Sequence, residues 1–181
     1  MGSFYTGRGD NGETDTMGFG RMGKESPLAN ALGDVDELNS LIGVAIANTP
    51  DKHICDVMIG IQNKLFTIGA QLSAAPGSTL KSNAKITGSD IKDLEDEIDD
   101  LEAKVPKLKK FVLPGGSQSG ALLHLSRAVA RRAERSVVLL SKNLSVSPEL
   151  ISYLNRLSSF LFVSALFINR KEGIEEQNPV Y

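Results

Sequence analysis

The sequence predicts an all-α fold, a five-helix up-and-down bundle that follows a Gly-rich N-terminal arm. Apolar residues recur at spacings of three and four in five separate segments, which is the period of a helix with one buried face. Short connections with Pro, Gly or small polar residues separate these segments, as is typical of antiparallel neighbours in a bundle. No segment shows the convincing alternation of apolar and polar residues that a β-strand requires.

The first two helices are predicted over residues 28–48 and 52–73, on either side of a break at Thr49-Pro50-Asp51. Asp51 is predicted to cap the second helix, because its side chain can accept a hydrogen bond from a first-turn amide. The two apolar stripes are formed by Leu32, Val35, Leu38, Leu41, Ile42 and Ala45, and by Ile54, Val57, Met58, Ile61, Leu65, Ile68 and Leu72.

The third helix follows a predicted loop over residues 74–87, which contains Pro, Gly and small polar residues. Thr87 or Ser89 is the predicted cap, and the apolar stripe continues to Pro106. The opposite face is strongly acidic. Such a run of charges is typical of a solvated face, so we assign no metal site to it.

The fourth helix is predicted over residues 117–143 and the fifth over 147–169. Ser147 followed by Pro148 is a typical helix start, with Ser as the cap and Pro at the first position. The C-terminal segment lacks periodicity and is expected to be flexible. The whole chain, 1–181, is therefore predicted to be one domain, with an arm over 1–26, a bundle over 27–170 and a tail over 171–181.

The composition indicates a soluble, cytoplasmic protein. The net charge of −2 argues against a generic nucleic-acid binder, and the single cysteine excludes an intrachain disulfide. The most apolar stretch, 157–169, is shorter than the roughly 20 residues of a membrane span, so it is interpreted as a core helix. No secretion signal or transit peptide is visible at the N-terminus.

Residues 18–24 match the spacing G-x-x-x-x-G-K of a phosphate-binding loop, but Glu25 stands where that loop needs Ser or Thr. No buried strand precedes the segment either, so the P-loop fold is rejected. Glycine amides together with Lys24 and Arg21 nevertheless suit a polyphosphate. A flexible arm with chance glycines explains the same residues equally well.

The fourth helix has four arginines within nine residues, and Arg127, Arg131 and Glu134 share one face because their spacings are four and three. Guanidinium groups bind phosphate in a bidentate way and keep their charge when buried. A solvated basic face, or Glu–Arg pairs between helices, is the alternative interpretation.

Two further segments are candidates for a binding site. Asp36 lies in the acidic stretch 33–39 of the first helix. This stretch could bind magnesium or pair with an arginine of another helix. Alternatively, its acids only interact favourably with the helix dipole. Phe111 begins the apolar segment 111–116 before the fourth helix, which could contact an apolar cofactor face or could simply plug the core.

The remaining polar candidates are interpreted as structural. Asn155 and Arg156 form a polar pair in an apolar helix and must find hydrogen-bond partners there. His53 and His124 have no second metal ligand at a suitable spacing, and Cys55 is interpreted as a small core residue. No nucleophile–base motif is present.

Taken together, these segments resemble the trimeric, PduO-type ATP:cob(I)alamin adenosyltransferases over nearly the whole chain. The resemblance rests on residues 5–14, Lys24, 33–39, 111–116, 126–135 and 153–158. In the arm, Thr6-Gly7-Arg8-Gly9-Asp10 departs from the family pattern, because the basic residue is shifted by one and the second Thr is missing.

The resemblance implies transfer of the 5′-deoxyadenosyl group of ATP to the cobalt of a reduced corrinoid, with triphosphate as the leaving group. It also implies a homotrimer with sites between subunits, and Mg²⁺ held mainly by the ATP phosphates with no protein ligand identified. The residues it places at ATP are Tyr5, Thr6, Gly7, Arg8, Gly9, Asp10, Gly12, Lys24, Arg127, Arg131, Glu134 and Asn155.

The catalytic roles implied by the resemblance fall on Arg127, Arg131, Phe111 and Asp36. Asp36 would pair with Arg127 across the subunit interface, and Phe111 would press against the lower face of cobalamin. A reductase and an adenosylcobalamin-dependent client enzyme are the implied partners. The alternative is a non-catalytic helical bundle that binds ATP and cobalamin as a carrier or regulator, and a purely structural bundle is a second one.

Overall fold

The computed structural model describes residues 4–74 and 85–180. It confirms the predicted five-helix architecture; most of the predicted loop over 74–87 lies outside the described residues. A two-strand hairpin precedes the bundle. The elements in chain order are β1 (Glu13–Thr16), β2 (Gly20–Gly23), α1 (Pro27–Asn48), α2 (Lys52–Ser73), α3 (Gly88–Glu102), α4 (Gln118–Leu140) and α5 (Pro148–Lys171).

Side-chain caps fix where the helices begin. The predicted caps Asp51 and Ser147 are confirmed, since each accepts a hydrogen bond from an amide of the first turn. Thr87, rather than Ser89, caps α3, and its amide donates to Asp90 at 2.8 Å in a reciprocal capping box. The side chains of Ser26 and Ser117 cap α1 and α4 by accepting hydrogen bonds from the amides of Ala29 and Gly120.

Two helices end earlier than their apolar stripes predict. α3 stops at Glu102 and α4 at Leu140, and the chain continues in each case through turns with shorter-range hydrogen bonds. Residues in such turns still present apolar side chains at nearly helical spacing, so the sequence pattern does not mark the change.

The bundle is assembled around α4 and α5. α4 packs between α1 and α5, α2 packs on α1, and α3 packs on α5. The fully buried large side chains are Phe160, Leu38, Ile42, Ile54, Met58, Leu65, Ile68, Leu101, Leu123, Leu150, Leu154 and Leu157.

Within the described residues, α5 is the one helix long and apolar enough to span a membrane by those criteria alone. Leu157, Phe160 and Leu161 are completely buried in the bundle. The prediction of a core helix in this stretch is therefore confirmed.

The hairpin corrects the expectation that no segment of the chain forms a β-strand. β1 and β2 pair antiparallel, with Thr16 opposite Gly20, and the Thr16 hydroxyl donates to the Gly20 carbonyl at 3.1 Å. Gly20 adopts a φ of 68°, which favours glycine. Each strand has only four residues, which is too short for an alternation pattern to be recognised in the sequence.

Candidate active site

A cavity of about 1020 Å³ opens beside α4 and α5. It is bounded by the segment between α3 and α4 and by the C-terminal tail, and we call it the arginine cavity. Its lining residues are Glu102, Leu108, Lys109, Lys110, Phe111, Val112, Arg127, Arg131, Ser158, Ser159, Phe162, Val163 and Pro179. The structure thus brings together three predicted site residues, Phe111, Arg127 and Arg131.

Arg127 is the less exposed of the two cavity arginines. Its guanidinium lies over the ring of Phe162, at 5.8 Å from the ring centroid, and its Nε is buried without a hydrogen-bond partner among the described residues. Burial lowers the pKa of Arg127, and the nearby charge of Arg131 lowers it further. An arginine keeps its charge in such a site, so the cavity offers a cationic group to an incoming anion.

Phe111 supplies the apolar side of the cavity. Its side chain is 78% exposed, although large apolar side chains are usually covered in a folded protein. With Phe162 and Val163 it forms an apolar surface next to the two arginines. The cavity therefore combines a cationic part with an apolar part large enough for a flat, hydrophobic ligand.

Glu134 and Asn155 lie close together but outside the cavity lining. The Asn155 Nδ2 donates to Glu134 Oε1 at 3.0 Å, and Arg156 donates to Asn155 Oδ1 at 3.0 Å. Arg156 also binds Glu95 at 2.8 Å. These bonds satisfy the polar pair of α5, as the structural interpretation predicted, and tie α4 and α3 to α5.

The acidic stretch of α1 does meet an arginine of another helix, namely Arg132. Its Nε lies 3.1 Å from Asp34, and its Nη2 pairs with Glu37. Asp36 is exposed and takes no part in this cluster. The sequence contained the signal for this cluster, because Asp34 and Glu37 share a helix face at a spacing of three, but nothing in it selected Arg132 among four arginines.

The arm gathers the other predicted site residues into a compact loop. The Lys24 Nζ donates to the Gly9 carbonyl at 2.8 Å, and the Lys24 amide donates to Gly12. Gly7 and Gly12 adopt φ values of 68° and 78°. The predicted residues Tyr5, Thr6, Gly7, Arg8, Gly9, Asp10, Gly12 and Lys24 all belong to this loop and its anchor.

A second, smaller cavity of about 380 Å³ lies between the arm and the ends of α1 and α2, where Lys24, Thr14 and Ser73 contribute to its lining. We call it the arm cavity. No lining residue is shared by the arm cavity and the arginine cavity. Among the described residues of one chain, the predicted arm residues and the predicted arginines therefore do not line a common cavity.

No group of three or more His, Cys, Asp or Glu side chains in the described residues is placed to hold a metal ion.

The histidines and the cysteine occupy structural positions. His53 pairs with Glu97 at 2.7 Å on the surface. Cys55 is partly buried, with its Sγ 3.4 Å from the Thr49 carbonyl, and burial raises the pKa of its thiol. His124 is only 2% exposed and lies against Phe162, with 5.8 Å between ring centroids.

His124 should make the protein sensitive to acid. Burial, aided by the charge of Arg127, lowers the pKa of His124 from 6.5 to about 4. Because the unfolded chain binds the proton more readily, the stabilising contribution is complete above pH 6.5 and is lost as the pH falls towards 4. Between pH 7 and pH 5 we expect a loss on the order of 2 kcal/mol in the free energy of unfolding.

Urea unfolding at fixed protein concentration measures this loss. The His124→Leu variant should lose much less stability than the unmodified protein between the two pH values. The surface variant His53→Asn is the control and should show the full loss. An equal pH dependence in His124→Leu and the unmodified protein would contradict the assignment.

Comparison with known proteins places the chain in a family. A model of the family described as cobalamin adenosyltransferase matches residues 4–168. The chain is 40% identical over 174 residues to a corrinoid adenosyltransferase of Bacillus subtilis, covering 94% of this chain and 88% of the relative. It is 43% identical over 171 residues to one of Mycobacterium tuberculosis, covering 91% and 88%.

Solved structures agree with these sequence relatives. A phenylalanine-to-alanine variant of a PduO-type ATP:corrinoid adenosyltransferase from Lactobacillus reuteri, complexed with cobalamin and ATP, superposes with a TM-score of 0.91. It is 31% identical and covers 99% of this chain and 100% of its own. An arginine-to-lysine variant complexed with ATP gives a TM-score of 0.89 at 32% identity, covering 98% and 100%.

The fold and these comparisons therefore define a helical-bundle adenosyltransferase of the PduO type. The chain belongs to the cobalamin adenosyltransferase family.

Proposed function

We propose that this protein transfers the 5′-deoxyadenosyl group of ATP to the cobalt of cob(I)alamin, giving adenosylcobalamin and triphosphate. The observation that supports this best is the arginine cavity, where an apolar surface around Phe111 lies directly beside Arg127 and Arg131. A corrin ring needs an apolar surface, and a polyphosphate needs cationic side chains. The names of the relatives and the ligands of the similar structures support the same pair of substrates.

The chemistry requires no nucleophile from the protein. The electron pair of Co(I) forms the cobalt–carbon bond to C5′ of ATP, the C5′–O bond breaks, and its electron pair leaves with triphosphate. The protein holds the cobalt in line with C5′ and stabilises the charge that develops on the leaving group. Arg127 and Arg131 are the groups we assign to that charge.

We further propose that the site is completed by a neighbouring subunit of a homotrimer. One chain keeps the arm cavity apart from the arginine cavity, and the Arg127 Nε has no partner among the described residues of its own chain. Both facts are explained if the arm of one subunit covers the arginine cavity of the next and Asp36 reaches Arg127 there. A head-to-tail contact forms a closed ring when the rotation between subunits allows it, and we propose that this ring contains three copies.

The arm residues, with Lys24 at their centre, would then surround the ATP phosphates together with Mg²⁺. When bound, Mg²⁺ neutralises part of the phosphate charge. Lys24 and the glycine amides of the arm would hold the triphosphate chain from the side opposite Arg127. We place this reaction in the cytoplasm, with a reductase that supplies Co(I) and a client enzyme that accepts the product.

An anaerobic assay tests the proposed function. The protein is mixed with MgATP and chemically reduced cobalamin, the loss of the Co(I) absorbance is followed, and the product is identified. Repeated turnover to adenosylcobalamin is expected. ATP-dependent protection of the arm from protease without any product would instead favour a non-catalytic carrier. If neither product nor protection is observed, the result favours a purely structural bundle.

Mixed trimers test the shared site. Lys24→Ala damages only the arm and Arg131→Ala only the arginine cavity, so each variant alone should be severely impaired. In trimers formed at random from equal amounts of both, an intact arm meets an intact cavity at about one quarter of the interfaces. Purification on two affinity tags after coexpression removes the trimers of a single variant, and each mixed trimer has one intact interface, so about one third of the unmodified activity should return.

A site built within one chain gives a different result. No chain in the mixture contains both an intact arm and an intact cavity, so activity would stay at the level of the single variants. Coexpression of each variant with itself under two tags is the matched control.

A further inference from the structure

The segment that contains Phe111 has little support of its own. Residues 106–114 belong to no helix or strand. Within the part of the chain that the structure describes, only two hydrogen bonds tie the backbone of this segment to the rest of the protein. Both bonds come from the C-terminal residues 174–180, which we call the strap.

The two bonds are made at Phe111 itself and two residues after it, at Leu113. The Asn178 Nδ2 donates to the Phe111 carbonyl at 2.8 Å, and the Leu113 amide donates to the Gln177 carbonyl at 2.7 Å. Pro179 of the strap also lines the arginine cavity beside Phe111. The strap therefore both holds the segment and forms part of the cavity wall.

Asn169, at the end of α5, anchors the strap and the far end of the Phe111 segment together. It is completely buried. Its Nδ2 donates to the Gly115 carbonyl and to Glu176 Oε1, both at 3.0 Å, and its carbonyl accepts from the Ile174 amide at 2.8 Å. Its Oδ1 accepts from the amide and the hydroxyl of Ser117.

This anchor is tightly enclosed, which fixes its position. A Cβ added at Gly116 or Gly120 would overlap the side chain of Asn169, and Gly116 also adopts a φ of 101°. The start of the strap and the start of α4 thus share one rigid point. From that point the strap returns along the segment to Phe111.

We propose that the strap is a positioning device for the reaction, with Asn178 as the residue that fixes Phe111. The inference rests on the proposed function. Phe111 contributes only if its ring lies firmly against the corrin, because small displacements of a positioning group cost much of the rate. Removal of the Asn178 side chain frees the carbonyl of Phe111 and leaves the ring in place for only part of the time.

Kinetics of the full-length Asn178→Ala variant test the proposal. We expect about a five- to tenfold loss of kcat/KM for the corrinoid, which corresponds to one lost hydrogen bond, with an unchanged KM for ATP. Asn178→Asp, which keeps the shape and loses the donor, should behave like Asn178→Ala. The control is Asn63→Ala, because Asn63 is an exposed asparagine that makes a similar bond to the Ile59 carbonyl within α2.

A fluorescence measurement isolates the positioning effect. The chain contains no tryptophan, so Phe111→Trp introduces a single reporter at the site. Adding Asn178→Ala in this background should lower the fluorescence anisotropy of that residue, whereas adding Asn63→Ala should not. A general loss of stability would lower the unfolding midpoint instead, and this is measured on the same samples.

The outcomes separate the two proposals. No adenosylcobalamin from the unmodified protein overturns the proposed function. Normal turnover by the unmodified protein, with unchanged corrinoid kinetics and unchanged anisotropy on loss of Asn178, overturns only the role of the strap. Equal losses for corrinoid and ATP would also overturn it, because the strap contacts the apolar side of the cavity.

Discussion

Replacing Arg131 by alanine should reduce adenosylcobalamin formation by about 10²–10³-fold, the usual loss when one donor to a developing charge is removed. Arg131 lines the cavity beside Arg127, and both are assigned to the departing triphosphate. The loss should appear in kcat more than in the KM for ATP, because charge accumulates on the leaving group only as the C5′–O bond breaks. Single-turnover measurements with reduced cobalamin give this number directly.

Arg135→Ala is the matched control for this prediction. Arg135 lies one turn further along α4, is exposed and does not line the cavity. The Arg135→Ala substitution removes the same charge from the same helix as Arg131→Ala, so a purely long-range electrostatic effect would be similar in both variants. Equal losses in Arg131→Ala and Arg135→Ala would contradict the assignment of Arg131 to the triphosphate.

Replacing Phe111 by alanine should cut turnover by about 10²-fold and leave ATP affinity nearly unchanged. The ring would exclude water and a lower axial ligand from the cobalt, so that a four-coordinate Co(II) species, which is easier to reduce, can form. The absorbance and electron paramagnetic resonance spectra of cob(II)alamin bound with MgATP measure this species. Its fraction should fall sharply in Phe111→Ala.

Phe66→Ala serves as the control, since Phe66 is 72% exposed on α2 and lies outside the cavity lining. It should retain both turnover and the four-coordinate signal. A Phe111→Ala variant that loses ATP affinity and turnover to the same extent, or loses neither, would contradict the proposed role of the ring.

The helices could be predicted because each is specified by local information. Apolar stripes at helical spacing define the buried faces, and the caps at Asp51 and Ser147 define two of the starts. The candidate cavity residues could also be predicted from the sequence, because arginines at a spacing of four share a helix face and Phe111 lies in an apolar segment next to a helix start. The resemblance to a known family then assigned to one site the residues that periodicity alone places in separate segments.

The features that were missed depend on contacts between distant residues. The hairpin is too short for a pattern, and its turn is fixed by Gly20 and a side-chain bond from Thr16. The hydrogen bonds of the strap were not predicted, because they run through backbone groups and through Asn169 and Asn178, which no periodicity marks. The pairing of Arg132 with Asp34 needed the relative rotation of α1 and α4, which the sequence does not specify.

The Arg127 Nε, which has no hydrogen-bond partner among the described residues, has a thermodynamic consequence for a single chain. A buried polar group without a partner costs free energy, so the isolated chain is less stable than its packing would otherwise allow. A partner that satisfies this group, whether a carboxylate of a neighbouring subunit or an anionic ligand, removes the cost, and the recovered free energy becomes part of its affinity. Under the proposed trimer, subunit assembly and ligand binding would therefore stabilise the fold at the same position.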